Sequence, residues 1–174
     1  MILTGAQILA EFLAGRITID PFDPVRMNPN SYNFCIGDSL RVYRDAVVDP
    51  KKEPATDVIF MPPSGYMLRS QRLYLASTVE KMGSNYYVPT FAARSSVARL
   101  GLFINLSASL GNIGYVGQWT LQLVPVKSLV IYPGMGIGQM VWWKPVGSIE
   151  LYDGKYQHSS GPCATRIFHD FARA

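Results

Sequence analysis

Arg94, Ser95, Ser96 and Arg99 stand together in the stretch Arg94-Ser95-Ser96-Val97-Ala98-Arg99-Leu100-Gly101-Leu102. Two guanidiniums beside two hydroxyls form a donor set for a polyphosphate. Arginine stays charged and presents a planar fork that matches phosphate oxygens. Serine hydroxyls and the backbone N–H groups of a turn can fill the remaining acceptor positions. A lone Arg-Ser-Ser would read as a solvated loop. Here Phe91-Ala92-Ala93 precede the stretch and Leu102-Phe103-Ile104 follow it, so it is pinned between apolar segments. A polar loop held on a rigid scaffold is where binding residues concentrate.

The elements that must hold this loop are short. Thr4 to Ala14 reads as a helix capped by Thr4, with Ile8, Leu9, Phe12 and Leu13 on one apolar face and Gly15 ending it. Strand candidates follow at Arg16–Ile19, Tyr32–Ile36 closed by Gly37-Asp38, Leu40–Tyr43, Val58–Met61 and Leu73–Thr78. After the arginine loop come Phe103–Ser107, Gln118–Val124, Leu129–Tyr132 and Gly138–Trp143. Each is rich in β-branched or aromatic residues and bounded by Gly or Pro. Many short strands with one helix predict an all-β fold, a distorted β-barrel of jelly-roll type. The tail from Asp153 onward is rich in small residues and is expected to be a mobile lid.

Composition bounds the function. The chain has 174 residues, enough for one domain with a substantial core. Charged residues are only 16%, which points to buried subunit contacts. The net charge is +4, but the cations form no run, so a small polyanion is favoured over a nucleic acid polymer. Cys35 and Cys163 make neither a disulfide scaffold nor a metal site and read as reduced core thiols of a cytoplasmic protein. His158 and His169 are the only histidines, too few for a histidine-based zinc site. No apolar run is long enough for a membrane span, and Met1-Ile2-Leu3-Thr4 lacks the basic start of a signal peptide.

The arginine loop resembles the signature of the dCTP deaminase family, within the trimeric dUTP pyrophosphatase superfamily. Four other segments carry the resemblance in order. They are Met1-Ile2-Leu3 with Ile17 and Asp20-Pro21, then Asn30-Ser31-Tyr32-Asn33-Phe34-Cys35-Ile36-Gly37. Next is Gly114-Tyr115-Val116-Gly117 followed by Pro133-Gly134-Met135-Gly136-Ile137-Gly138-Gln139, and last Gly154-Lys155-Tyr156-Gln157 with Gly161-Pro162 and Thr165-Arg166-Ile167. The resemblance implies a homotrimer with a deoxynucleoside triphosphate at each interface, Mg²⁺ bound through the phosphates, and no zinc. Arg94 and Ser96 would hold phosphate. Ser95 and Arg99 would lie near the base and the catalytic water. Tyr115 belongs to the Gly-Tyr anchor, Gln139 to a supporting strand turn, and Lys155 and Tyr156 would close over the nucleotide.

The departures fall on chemistry. The family's catalytic glutamate corresponds to Gln122, which can hydrogen-bond to a base but cannot take a proton at neutral pH. An aspartate beside the Gly-Tyr corresponds to Asn112, a second aspartate to Asn33, an arginine to Leu110, and a glutamine of the tail to Ser159. Glu80 stands where the family carries a structural glutamate. Three functions follow as expectations: a dCTP deaminase-like hydrolase of weak or altered activity, a non-catalytic nucleotide-binding or regulatory trimer, and a dUTP pyrophosphatase, which Asn112 disfavours.

Overall fold

In a computed structural model of the chain, residues 1–172 are described; positions 173 and 174, the end of the expected tail, lie outside the described residues. Helix α1 spans Gly5–Leu13, and the Thr4 hydroxyl caps it by accepting from the Gln7 N–H at 3.4 Å. Ten strands follow: β1 (Thr18–Asp20), β2 (Tyr32–Tyr43), β3 (Thr56–Phe60), β4 (Tyr66–Leu68), β5 (Tyr74–Gly83), β6 (Val88–Ala93), β7 (Leu102–Phe103), β8 (Val116–Pro125), β9 (Leu129–Ile131) and β10 (Gly136–Trp143). Two further short helices are α2 (Ser95–Arg99) and α3 (Phe168–Phe171). The main sheet runs β6-β10-β2-β5-β8-β7, with β1 added on β5 and β3 on β2, while β4 and β9 form a separate ribbon. The all-β expectation holds, with α2 and α3 beyond the one expected helix.

Strand β8 shows why the pattern is legible. Gly117, Trp119, Leu121, Leu123 and Pro125 point inward and are buried, while Val116, Gln118, Thr120, Gln122 and Val124 face outward and are half-buried. Period-two alternation is what one buried face requires. The core these strands enclose is aromatic-rich, with Tyr32, Phe34, Tyr74 and Trp142 almost wholly buried.

Several boundaries differ from expectation. Gly37-Asp38 does not end a strand. Strand β2 runs through it, and the register against β5 shifts between Ile36 and Leu40, so the small polar pair sits at an irregularity rather than a turn. Phe103–Ser107 is not a strand. Only Leu102–Phe103 pair with β8, and the following chain is a loop that leaves Leu106 exposed.

The face of α1 is also corrected. Ile8 is buried and Phe12 packs on the core, but Leu13 is 75% exposed and Glu11 only 3%. Glu11 is buried because Arg16 folds back on it, with its Nη2 donating to Oε1 at 2.9 Å and its Nε to Oε2. That guanidinium holds the Glu11 carboxyl down at about 2. Glu80, 0% exposed, lies at the irregularity of β5. It is paired with Arg26 and accepts the Cys35 N–H at 3.0 Å, while burial pushes its carboxyl above the usual range.

Candidate functional site

The arginine stretch forms one helical turn rather than an open loop. Arg94 sits at its N-cap with extended backbone, and the N–H groups of Val97 and Ala98 return to the Arg94 carbonyl at 2.9 Å each. Buried Val97 anchors the turn, and Ser95, Ser96 and Arg99 stay exposed. The start of the turn is tied to β10, where the Arg94 N–H donates to Ile137 O at 3.2 Å and its Nη1 to Gly136 O at 3.4 Å. Gly136 permits this approach, since a Cβ there would lie 2.6 Å from Arg94 Nη1. Beneath it, Gln139 is engaged at both ends of its amide. Ser31 Oγ donates to its Oε1 at 2.9 Å, and its Nε2 donates to Ala93 O at 3.5 Å. Gln139 thus supports the strand that delivers Arg94. Among the described residues, no carboxylate pairs with Arg94 or Arg99.

A separate cavity of about 390 Å³ lies beside β8. Thr120 and Gln122 project from that strand, Leu110 and Asn112 from the loop before it, and Tyr156, Ser159 and Cys163 from the tail. Phe91, Tyr115 and Trp119 add aromatic wall. The Gln122 Nε2 donates to Thr120 O at 3.2 Å, which lays the side chain along its own strand. Tyr115 donates its hydroxyl to Gln118 O at 2.7 Å, and burial pushes the phenol up to about 12, so it remains a neutral donor. Among the described residues, no Asp, Glu, His, Lys or Arg lines this cavity. It can recognise a ring and a sugar by stacking, apolar contact and amide or hydroxyl hydrogen bonds. It holds no side chain that takes a proton at neutral pH.

The tail forms the outer wall. Gly114 has φ +94°, and a Cβ there would lie 2.7 Å from Tyr152 N, so only glycine admits the tail so closely. Beyond it, Gln157 Oε1 accepts the Val116 N–H at 3.0 Å and its Nε2 donates to Gly114 O at 2.7 Å. Gln118 donates its N–H to Ser159 O at 2.9 Å and its Oε1 accepts the Gly161 N–H at 2.6 Å. The Cys163 N–H donates to Thr120 Oγ1 at 3.1 Å. The bonds to the Val116 and Gln118 N–H groups pair part of the edge of β8 where the short β7 does not reach, and the side-chain bonds fasten the tail alongside it. Cys163 is accordingly half-buried beside the cavity rather than in the core, whereas Cys35 is a buried free thiol.

The expected site residues therefore divide. Asn112, Tyr115, Gln122, Tyr156 and Ser159 share the cavity, while Arg94, Ser95, Ser96, Arg99 and Gln139 gather around α2 and β10 and do not line it. Lys155 is turned away toward Asp170, with which it pairs at 2.6 Å. Thr120 and Cys163 were not anticipated. Thr120 could have been found from its period-two relation to Gln122, but Cys163 enters through the path of the tail.

The dCTP deaminase-like family profile matches residues 2–144. A dCTP deaminase, dUMP-forming, of Cytophaga hutchinsonii is 38% identical over 174 residues, 99% of this chain and 100% of that protein. The protein of the same description from Hathewaya histolytica is 41% identical over 172 residues, 98% and 99% of the two chains. Among solved structures, 2'-deoxycytidine 5'-triphosphate deaminase from Agrobacterium tumefaciens superposes with a TM-score of 0.64 at 18% identity, covering 81% of this chain and 47% of that one. No helix among the described residues is long and apolar enough to cross a membrane. With the profile spanning most of the chain and relatives matching it end to end, this chain belongs to the dCTP deaminase-like family.

Proposed function

We propose that the protein binds a pyrimidine deoxynucleoside triphosphate, dCTP in the first place, and is a dCTP deaminase-like hydrolase with slowed turnover. The supporting observation is the division of the site. An uncharged, aromatic-walled cavity suits a base and sugar, and the arginines at the start and end of α2, which pair with no carboxylate among the described residues, suit a triphosphate. Since the two halves do not share a cavity within one chain, the working site joins α2 of one protomer to the cavity of another in a homotrimer. Mg²⁺ enters on the phosphates, which neutralises charge that two arginines alone leave unbalanced. The tail, with Lys155 and Tyr156, acts as the lid, and the nucleotide pool such a site serves is cytoplasmic. The names of the relatives add dUMP as a product, which requires diphosphate release as well as deamination.

Gln122 and Asn112 set the rate. Deamination needs a group that takes a proton from water and returns it to the leaving amine. Loss of such a group costs about 10² to 10⁴ in rate. The absence of any carboxylate or imidazole from the described cavity lining favours a second reading, a nucleotide-binding or regulatory trimer without turnover.

The test is ion-exchange analysis of dCTP and dUTP after incubation with protein and Mg²⁺, beside calorimetric binding of each. Slow appearance of dUTP or dUMP from dCTP is expected. Binding without any product selects the regulatory reading, and no binding of either nucleotide overturns both.

A further inference from the structure

The proposed nucleotide site leaves the far side of the tail unused. There the segment 159–165 walls a second cavity of about 280 Å³, closed on its other side by β2, β3 and the chain leading into β3. Arg41, Arg166 and His169 line it, with Glu53 the one acidic residue among the lining. Arg41 is fixed, with its Nε donating to Pro162 O at 2.9 Å and its Nη1 to Thr56 Oγ1 at 2.7 Å. Both acceptors are neutral, so they orient the guanidinium without neutralising it. Arg166 lies over the Tyr156 ring, 5.8 Å from its centroid, and donates to the Lys155 carbonyl. Among the described residues, neither arginine pairs with a carboxylate, and Glu53 pairs with no cation.

One exposed arginine needs no ligand. Two that converge on one polar cavity, one of them half-buried and oriented by neutral acceptors, present the donor arrangement that a phosphate oxyanion matches. We propose that this cavity is an oxyanion site for phosphate or pyrophosphate, separate from the arginines of α2, and that its occupant steadies the tail. Arg41 belongs to the barrel and Arg166 to the tail, so an anion between them bridges the two. Ser159, Cys163 and Thr165 line both cavities, so a tail held in this way also keeps the wall of the larger cavity in place. The proposal goes beyond the nucleotide reading and does not depend on it.

The test uses inorganic pyrophosphate without nucleotide. The double variant Arg94→Ala/Arg99→Ala removes the cations of α2. It is expected still to bind one pyrophosphate per chain by calorimetry. Adding Arg166→Gln should weaken that binding about tenfold or more, the loss expected of a charge-assisted contact. Arg41→Gln should do the same, but it also releases Pro162, so the exposed Arg166 decides. Pyrophosphate should slow tryptic cleavage at Lys155 in the double variant and not after Arg166→Gln. Competition of pyrophosphate with dCTP in the double variant would identify the occupant as the nucleotide's own phosphates; simultaneous binding would identify a free anion. No pyrophosphate binding by the double variant, or binding unchanged by Arg166→Gln, overturns the proposal.

Discussion

At position 122 the difference between an amide and a carboxylate is one proton acceptor in nearly the same shape. The Gln122 side chain already lies in the cavity, beside Thr120 and on the face of β8 that the tail covers. Gln122→Glu is therefore expected to raise dCTP deamination toward the about 10²-fold or greater gain that a positioned proton-transfer group supplies. Product chromatography reads it, and nucleotide binding without any gain would show that Leu110 and Asn112 also limit the chemistry. Arg94→Ala and Arg99→Ala are each expected to weaken triphosphate binding by about 1.5–3 kcal/mol, the worth of a charge-assisted hydrogen bond. Calorimetry checks this, and unchanged affinity in both would place the triphosphate elsewhere. The chemistry of these residues was legible in the sequence, because guanidinium, hydroxyl and amide carry their properties wherever they fold. Arg94's contact with Gly136 was not, because it joins the start of α2 to β10, segments far apart in the chain.

Among the elements, α1 and the tail make separate predictions. Glu11 has its folded value lowered to about 2 from 4.5. A lowered carboxyl adds stability that is complete above pH 4.5 and disappears as the pH falls toward 2. The melting temperature of the unaltered protein should exceed that of Glu11→Gln at neutral pH, and the gap should close between pH 4.5 and 2. Only the difference between the two proteins isolates Glu11, because Glu80 is shifted in the opposite direction. In the tail, Gln157 makes three hydrogen bonds to the chain around β8 and Tyr152. Each is worth about 1 kcal/mol, so Gln157→Ala should raise amide exchange in the tail on the order of tenfold or more without lowering the global melting temperature. Exchange confined to its present level would show that other contacts hold the tail.

For the whole molecule, the proposed composite site and the exposed apolar side chains point the same way. Leu100, Phe103, Leu106 and Leu110 are each more than half exposed, and they follow or border the arginine turn. Apolar residues gathered in this way suit a surface for another chain. Light scattering is expected to give three chains of 19.3 kDa, about 58 kDa. A stable monomer at micromolar concentration would remove the composite site from the proposal.

By itself the sequence determined the strand-rich class and placed two guanidiniums and two hydroxyls together in Arg94 to Arg99, while the acids missing at 112 and 122 are what the resemblance to the family implies. The first two follow from side-chain chemistry and local spacing alone. Only the tertiary structure decided that β2 continues through Gly37-Asp38, that Glu11 is buried, and that the tail wraps β8 to bring Ser159 and Cys163 beside Gln122. It also decided that α2 and the cavity stand apart in one chain. These outcomes depend on which distant edge offers unpaired N–H and C=O groups and which distant cation meets a carboxylate, and neither is a property of neighbouring residues.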